Sequence, residues 1–567
     1  MNRDQMLKTL TASAEPWDLI IIGGGATGLG AAVDASSRGY RTLLLEQGDF
    51  AKGTSSRSTK LIHGGVRYLQ QGNLKLVRES LRERGLLTRN APHLVNHLAF
   101  IVPNYTWWEG PFYGAGLKIY DRLAGKLGLG PSRHLSRKAT LECLPTLEPR
   151  GLRGGTIYYD GQFDDARLAI ALAQTAVDLG GTVINYVQVT GLLKQPAFPA
   201  SESSAAGDTP SRSATDVRQA RARRRVTGRA QPGEVICGVV ARDLETGREY
   251  RMAARGVINA TGIFTDAIRR LDERAAAGII APSQGAHIVL DRSFLPGNSA
   301  IMVPKTDDHR VLFAIPWHDR VLIGTTETSV SKPQLEPRPL REEIEFLLKH
   351  AARYLTKDPK PKDVLSAFAG MRPLVKHGKT RNPALVPRDH TILVSEAGLV
   401  TITGGKWTTY RKMAEDTVDR ASEVAGLEKR TCSTAELRLH GANGGGQRTE
   451  TGDERSDIKT HILRTYGSDG AAVLALIDAQ PALNERLHPD LPYRAGEVIW
   501  AVRHEMARTV EDVLSRRTRL LLLDARASME VSPRVARWIA QEMGRDEKWE
   551  LQQVAAYRNL AEGYLVK

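Results

Sequence analysis

The chain has 567 residues, of which 41% are hydrophobic and 25% charged, so a single small domain and a disordered chain are both excluded and two or three globular domains are expected. No apolar run approaches the roughly 18 residues of a membrane-spanning helix, and the first residues lack signal-peptide and transit-peptide features, which favours a cytoplasmic enzyme. A net charge of +15 favours an anionic partner (nucleic acid, anionic lipid or a phosphorylated substrate), and three widely separated cysteines predict neither a disulfide framework nor a metal site.

The first predicted element is a buried strand, Leu19 to Ile22, that runs into a glycine-rich turn. The turn has the G-x-G-x-x-G spacing at Gly23, Gly25 and Gly28. This spacing allows a tight turn and close approach of a pyrophosphate, and the next helix, with Ala26 and Thr27 in its first turn, presents N–H groups to the phosphates. Glu46, which ends the second strand, can accept hydrogen bonds from ribose hydroxyls. We therefore predict an adenine dinucleotide, NAD or FAD, over a purely structural glycine-rich turn.

Further along the chain, apolar stretches indicate the remaining parts of one interrupted nucleotide-binding domain. They are an amphipathic helix from Asp165 to Val177, and strands in GTVINYV, in RGVINATG at 255–262 and in AGLVTITGG at 397–405. Between Gln195 and Gly233 the chain carries seven arginines against three acids and almost no aliphatic residues. We interpret this segment as a disordered insertion between two strands, with an RNA-binding arm as the alternative.

Short strands with Pro and Gly at their ends predict an antiparallel, inserted substrate domain at 285–290, 301–304, 310–316 and 320–325. The composition changes near Lys429, and i, i+3, i+4 apolar spacing predicts helices after it. The expected division is an N-terminal tail at 1–16, a dinucleotide-binding domain at 17–90, 150–282 and 366–428, a substrate-binding domain at 91–149 and 283–365, and a helical C-terminal domain at 429–567.

One stretch, GTSSRSTKLIHGGVRYL at 53–69, is more specific than a general flavoprotein pattern. Further motif positions are Glu46, His287 in GAHIVL, Gly324 in IGTTE, Arg372 in AGMRPL and Lys406 in GGKWTTYRK. From about residue 17 to 420 the chain closely resembles FAD-dependent glycerol-3-phosphate dehydrogenases, and its C-terminus is similar to theirs. The resemblance implies an α/β fold with a Rossmann-like FAD-binding domain of the glutathione-reductase/D-amino-acid-oxidase type, an inserted antiparallel sheet and a helical C-terminal domain.

The resemblance also implies a reaction in glycerol metabolism. FAD would take a hydride from C2 of sn-glycerol 3-phosphate at flavin N5, giving dihydroxyacetone phosphate, and the electrons would pass to a membrane quinone. A homodimer attached peripherally to the anionic inner face of the cytoplasmic membrane, without nucleic acid, is expected. The alternatives are a glycerol-3-phosphate oxidase that forms H2O2 from O2, a D-amino-acid or amine oxidase-like flavoenzyme, and a basic nucleic-acid-associated flavoprotein. No second G-x-G-x-x-G offers a nicotinamide site.

The substrate phosphate needs cations, and the candidates are Arg67, Arg372 and Lys406, with Tyr68 as a hydroxyl donor. His63 and His287 are candidates for taking the C2 hydroxyl proton, because imidazole titrates near neutral pH, and Arg372 could stabilise the alkoxide. The alternatives are a backbone-bonded His63, a core His287 and solvated arginines.

The resemblance assigns further residues to the flavin besides the glycine turn, its helix start and Glu46. They are Thr54, Ser55, Ser56, Lys60, His63, Gly64, Gly65, Gly262, Arg388, Gly405, Lys406 and Thr408. Trp107 and Trp108 begin an aromatic and basic stretch that either packs in the core or inserts shallowly at a lipid interface.

Overall fold

A computed structural model describes residues 1–12, 15–66, 69, 72–196, 233–308, 310–376, 390–443 and 454–566. Three residues predicted for the site, Arg67, Tyr68 and Arg388, lie outside the described residues, as does most of the Arg/Ser-rich insertion. Across the described ranges, no helix combines the length and the apolar character needed to cross a membrane.

The secondary structure alternates in the order expected of an α/β protein and becomes helical toward the C-terminus. The described residues form the strands β1 (Trp17–Ile22), β2 (Thr42–Leu45), β3 (Leu61–Ile62), β4 (Val95–Asn104), β5 (Arg133–Ser136), β6 (Gly154–Phe163), β7 (Thr182–Ile184), β8 (Val187–Pro196), β9 (Glu234–Asp243), β10 (Glu249–Asn259), β11 (Ile280–Asp291), β12 (Ser299–Val303), β13 (Leu312–Trp317), β14 (Arg320–Gly324), β15 (Thr328–Ser329), β16 (Val364–Val375), β17 (His390–Val394) and β18 (Leu399–Gly404). They also form the helices α1 (Arg3–Ala12), α2 (Ala26–Ser37), α3 (Leu74–Asn90), α4 (Glu109–Ala124), α5 (Arg137–Cys143), α6 (Asp165–Asp178), α7 (Thr265–Asp272), α8 (Arg341–Ala352), α9 (Tyr410–Val424), α10 (Glu454–Tyr466), α11 (Gly470–Ala479), α12 (Ala495–His504), α13 (Leu520–Leu523), α14 (Ala525–Met543) and α15 (Glu547–Ala561), with a π-helix at Asp512–Arg517.

The first sheet has the order β17-β18-β10-β1-β2-β7, and all of these pairs are parallel except β17–β18. Its central strand β1 is buried on both faces, which explains the continuous apolar run at Leu19–Ile22. Helices α2, α6 and α9 contribute Leu29, Leu168 and Val418 to the core on one face. The Rossmann-like prediction is confirmed, and the two strands flanking the insertion, β8 and β9, pair antiparallel.

The second sheet has the order β15-β11-β14-β13-β12-β4-β6-β3, with β16 paired to β11 and β5 to β6. The four short strands predicted from the sequence are β11 to β14, and their mutual pairs are antiparallel. Three strands from segments assigned by sequence to the dinucleotide-binding domain, β3, β6 and β16, also lie in this sheet. This arrangement matters for the site, because Arg372 in β16 pairs with Ser283 of β11, the strand that carries His287.

The helical C-terminal region predicted from the sequence packs on the second sheet. Leu520, Val535 and Tyr557 lie in one buried cluster with Leu322 and Phe368 of that sheet. Burial of this apolar surface fixes the C-terminal helices to the sheet.

Candidate active site

The glycine turn between β1 and α2 accepts only glycine at two positions. Gly23 has φ +110°, a left-handed conformation that L side chains rarely adopt, and a Cβ there would lie 2.7 Å from the carbonyl oxygen of Ala260. A Cβ on Gly28 would lie 1.8 Å from the carbonyl oxygen of Gly23. The first turn of α2 is therefore packed directly against the strand, with its N–H groups toward the turn.

Glu46 lies beside this turn with both carboxylate oxygens engaged by backbone donors. Gly24 N–H donates to Oε2 at 2.6 Å, and Gly48 N–H donates to Oε1 at 2.7 Å. Burial raises the pKa of Glu46, and the two N–H donors partly offset that effect. Each carboxylate oxygen keeps a further lone pair for a ribose hydroxyl.

The loop from Thr54 to Ser58 connects the glycine turn to a cavity. The Ser55 hydroxyl accepts a hydrogen bond from Ala26 N–H at 2.9 Å, and the Ser55 carbonyl accepts one from Trp407 Nε1 at 2.9 Å. The Thr54 hydroxyl donates to the Met371 carbonyl at 2.5 Å. A chain of hydrogen bonds thus runs from the start of α2 to the loop after β18.

These residues fit the expected FAD. The N-cap of α2 is Gly25, which has no side chain to occupy the positive end of the helix dipole, so that end suits a pyrophosphate. A Cβ on Gly262, which has φ +56°, would meet no atom within 4 Å, so there is open space beside the glycine turn. With Glu46 as ribose acceptor, the turn has the parts that an ADP group requires.

The cavity has a volume of about 480 Å³ and lies between the first sheet and the second. Eight residues predicted for the site line it: Thr54, His63, Gly65, His287, Arg372, Gly405, Lys406 and Thr408. The sequence separates them by up to several hundred positions, and β11, β16 and the loops after β3 and β18 bring them together.

His287 is fixed inside the cavity wall. Its side chain is 2% exposed, its Nε2 lies 2.9 Å from the Thr59 hydroxyl, and its ring stacks on Phe368 at 4.9 Å between centroids. Among the described residues, Nδ1 has no hydrogen-bond partner. Burial, with Lys60 and Arg372 nearby, holds the pKa of His287 well below its usual range, so the imidazole is neutral at pH 7.

Arg372 and Lys406 place two cations on the same wall. The Arg372 guanidinium donates to the Thr326 carbonyl at 3.3 Å and to the Thr325 hydroxyl at 3.3 Å. It lies across Gly285, where a Cβ would come within 2.5 Å of Nη2. Lys406 Nζ donates to the Ser80 hydroxyl at 3.1 Å. The guanidinium and the ammonium group are thus both positioned at the cavity by hydrogen bonds to neighbouring residues.

His63 lines the cavity in a loop that is held by its neighbours. Its carbonyl accepts from the Thr408 hydroxyl at 3.5 Å. The next residue, Gly64, donates its N–H to the Tyr120 hydroxyl at 2.7 Å, and a Cβ on Gly64 would lie 2.6 Å from that oxygen. Tyr120 in turn donates to the Asp160 carboxylate, which pairs with Arg84 at 2.6 Å. Gly64 is therefore required for packing behind the His63 loop.

Residues 18–411 match the family described as FAD dependent oxidoreductase, and residues 432–550 match the C-terminal domain of alpha-glycerophosphate oxidase. The mitochondrial glycerol-3-phosphate dehydrogenase of Mesocricetus auratus is 40% identical over 97% of this chain and 73% of that protein. The chain belongs to the FAD-dependent glycerol-3-phosphate dehydrogenase family. A probable mitochondrial glycerol-3-phosphate dehydrogenase of Caenorhabditis elegans is 41% identical over 94% of this chain and 72% of that protein.

A solved structure supports the assignment of fold and cofactor. The glycerol-3-phosphate dehydrogenase of Bacillus halodurans, complexed with FAD, aligns with a TM-score of 0.76 and 29% identity over 99% of this chain and 97% of that one. The L-alpha-glycerophosphate oxidase of Mycoplasma pneumoniae, solved with FAD bound, shares the fold at a TM-score of 0.53 and 17% identity, over 75% of this chain and 98% of that one.

Ser56 and Lys60, which the family resemblance assigns to the flavin, lie behind the cavity wall. Lys60 Nζ donates to the Ser56 carbonyl at 2.7 Å and to the Asp165 carboxylate at 2.6 Å. Burial lowers the pKa of Lys60 to about 7, although Asp165 counteracts this effect. Lys60 therefore supports the loop at 54–58 through the Ser56 carbonyl, and neither Lys60 nor Ser56 lines the cavity.

Several polar residues on the cavity wall were not predicted from the sequence: Thr59, Asn73, Asp160, Arg310, Thr325, Thr326 and Glu327. Thr59 was passed over within its motif, although its hydroxyl holds His287. Arg310 lines the cavity with Nη2 2.6 Å from Asp308, and Nη1 is buried without a hydrogen-bond partner in the described part of the chain. Arg310 lies two residues before β13, and no local pattern marks an arginine ahead of a strand as a ligand.

Proposed function

We propose that this protein oxidises sn-glycerol 3-phosphate to dihydroxyacetone phosphate with FAD and passes the electrons to a membrane quinone. The observation that carries the proposal is the cavity itself. The cavity is lined by two cations, Arg372 and Lys406, and by the neutral imidazole of His287. Ser55 connects the cavity wall to the dinucleotide turn, because its hydroxyl accepts from Ala26 N–H at the start of α2. The family relatives are named for glycerol-3-phosphate oxidation, and this chamber carries the groups that such a substrate needs.

The phosphate of the substrate is a dianion, so it requires several N–H donors in a partly dry site. Arg372 offers a planar guanidinium, and Lys406 follows two glycines at the start of the 3-10 turn that leads into α9. A cation at a helix start is unfavourable next to the positive dipole end, and a bound phosphate would offset that repulsion. Arg310, which lines the same cavity and pairs with Asp308, adds a third cation there.

The C2 hydroxyl must lose its proton as the C–H bond breaks. Bound FAD supplies the hydride acceptor, flavin N5. His63 and His287 both line the cavity as candidate proton acceptors. The ring of His287 is fixed by Thr59 and Phe368, and burial lowers its pKa, so it is neutral and able to accept a hydrogen bond. Arg372, adjacent on the sheet, stabilises the negative charge that develops on the C2 oxygen.

The proposed reaction is tested with purified protein that contains its flavin. Under anaerobic conditions, glycerol 3-phosphate should bleach the flavin absorbance, whereas glycerol, which lacks the phosphate, should not. A soluble quinone analogue should then restore the absorbance. Absence of bleaching contradicts the proposed substrate, and rapid reoxidation by O2 with stoichiometric H2O2 contradicts the quinone and favours an oxidase.

A quinone dissolved in the membrane requires a protein surface that attaches to lipid, and the surface formed by α3 and α4 suits that role. Exposed apolar side chains cluster on α3, on α4 and just before it: Leu74, Trp107, Trp108, Phe112 and Ile119. Exposed cations surround them: Lys75, Arg78, Lys118, Arg122 and Lys126. Trp107 is 76% exposed, which contradicts the alternative of core packing for that side chain. We propose that this aromatic and basic surface binds an anionic lipid bilayer.

The attachment to the cytoplasmic face of the membrane and the homodimer stay predictions.

Removing two rings from this surface should weaken lipid binding. For Trp107→Ala combined with Phe112→Ala, we expect binding to vesicles that contain phosphatidylglycerol to fall by about tenfold or more, because each ring buries apolar area in the interface. Leu551→Ala is the matched control, since Leu551 is an apolar side chain that is 65% exposed on a different helix, α15. Vesicle co-sedimentation measures both. Equal binding by the double variant and the wild type would remove α4 from the membrane contact.

A further inference from the structure

A buried ionic network joins the C-terminal domain to the loop after Glu46. Arg517 pairs with Asp49 through two hydrogen bonds, Nη1 to Oδ2 at 2.7 Å and Nη2 to Oδ1 at 2.9 Å. Arg516 Nε also donates to Oδ2 of Asp49. Arg517 and Asp49 are fully buried, and Arg516 is 1% exposed. Despite its burial, Asp49 has a pKa held below its usual range by the two guanidinium groups, so the carboxylate stays ionised.

Asp49 belongs to the loop that holds the carboxylate of Glu46, the predicted acceptor for the ribose hydroxyls. Gly48 N–H, one residue earlier, donates to the Glu46 carboxylate at 2.7 Å. Ala51 N–H, two residues later, donates to the Gly24 carbonyl inside the glycine turn at 2.9 Å. Asp49 therefore lies between two backbone contacts, one to Glu46 and one to the glycine turn.

Arg519, from the same C-terminal segment, contacts the loop at 54–58. Its Nη2 donates to the Ser56 carbonyl at 2.9 Å and to the Asp165 carboxylate at 2.8 Å. Lys60 donates to the same two groups. Ser56 directly follows Ser55, whose hydroxyl accepts from Ala26 N–H at the start of α2. Arginines from one short stretch, 516–519, thus hold both the loop after Glu46 and the loop at 54–58.

A buried ion pair is weak evidence for stability alone, because desolvation of the charges offsets much of their attraction. The bidentate geometry, in contrast, fixes the direction of a carboxylate closely. We propose that Arg516, Arg517 and Arg519 are positioning residues for FAD: the C-terminal domain completes the cofactor site by orienting the two loops that bind the ADP group. The proposal requires FAD binding only, and it holds whether or not glycerol 3-phosphate is the substrate.

The test compares Arg→Lys variants of the flavin-containing protein. Arg517→Lys keeps the charge and loses the bidentate bond, so FAD release on dilution, followed by the fluorescence of free FAD, should become at least about tenfold faster. Arg508→Lys is the first control, because Arg508 joins the C-terminal domain to Glu245 of the β9–β10 turn by two bonds of 2.7 Å. Arg503→Lys, which affects only the pair with Glu542 inside the C-terminal domain, is the second. Both controls should release FAD within about twofold of wild type.

Two results would overturn the proposal. One is wild-type FAD release in both Arg517→Lys and Arg519→Lys. The other is equally fast release in Arg508→Lys, which would mean that the arginines only hold the domains together. Should the variants fail to fold, hydrogen exchange of the wild-type protein decides. Removal of FAD should accelerate amide exchange at 512–519 together with 46–58, and unchanged exchange at 512–519 would refute the coupling.

Discussion

Replacing Arg372 by alanine is expected to lower kcat/KM for glycerol 3-phosphate by about two powers of ten or more, which corresponds to about 3 kcal/mol. Arg372 lines the cavity on β16, adjacent in the sheet to the strand of His287. Its loss removes a charge-assisted contact to the phosphate and the group that stabilises the C2 alkoxide. Because the second contact exists only as the reaction proceeds, kcat should fall as well as 1/KM.

Steady-state kinetics with a soluble quinone measure this effect. The flavin content should stay unchanged, because the Arg372 guanidinium donates to Thr325 and Thr326 and the substitution leaves the backbone contact between Met371 and Thr54 in place. Arg372→Lys keeps a charge without the planar fork and should recover only part of the loss. Arg341→Ala is the matched control: Arg341 pairs with Glu345 on the surface of α8 with 90% of its side chain exposed, so its kinetics should equal those of the wild type. Wild-type kinetics in Arg372→Ala would remove that arginine from the site.

The dinucleotide half of the site could be predicted from the sequence because its determinants are local. The strand, the glycine turn and Glu46 lie within one short βαβ unit, and each requirement acts on neighbouring residues. The short strands around His287 were also predictable, because Pro and Gly at their ends mark short apolar runs. The helical C-terminus followed from its apolar periodicity in the same way.

The support behind the site could not be predicted, because it depends on pairings across most of the chain. Arg517 meets Asp49 from a position 468 residues away, and nothing local to either residue signals the other. Lys60 shows the same limit within a motif, since the pattern assigned it to the flavin but could not reveal that its ammonium group points to Asp165. A motif identifies which residues cluster, whereas packing determines which of them face the ligand.

Replacing Gly28 by alanine should almost abolish the binding of flavin to the protein. The new Cβ would lie 1.8 Å from the Gly23 carbonyl oxygen, a contact that only separation of α2 from β1 can relieve. Such a separation moves the start of α2 and the loop at Glu46, both of which are predicted to bind the ADP group. We expect purified Gly28→Ala to contain less than about a tenth of the wild-type flavin, since the shift disrupts several contacts at once.

A graded series separates this steric effect from a general effect of Gly→Ala in a helix. At Gly30, also in α2, the Cβ would lie 2.9 Å from the ring edge of Tyr410, so a smaller loss of flavin is expected. At Gly114, in α4, the Cβ would meet no atom within 4 Å, and alanine should leave the flavin content unchanged while raising helix stability by up to about 1 kcal/mol. Flavin absorbance per protein and thermal unfolding measure all three. Full flavin occupancy in Gly28→Ala would mean that α2 tolerates displacement from β1, and close helix–strand packing would then not be what holds the pyrophosphate.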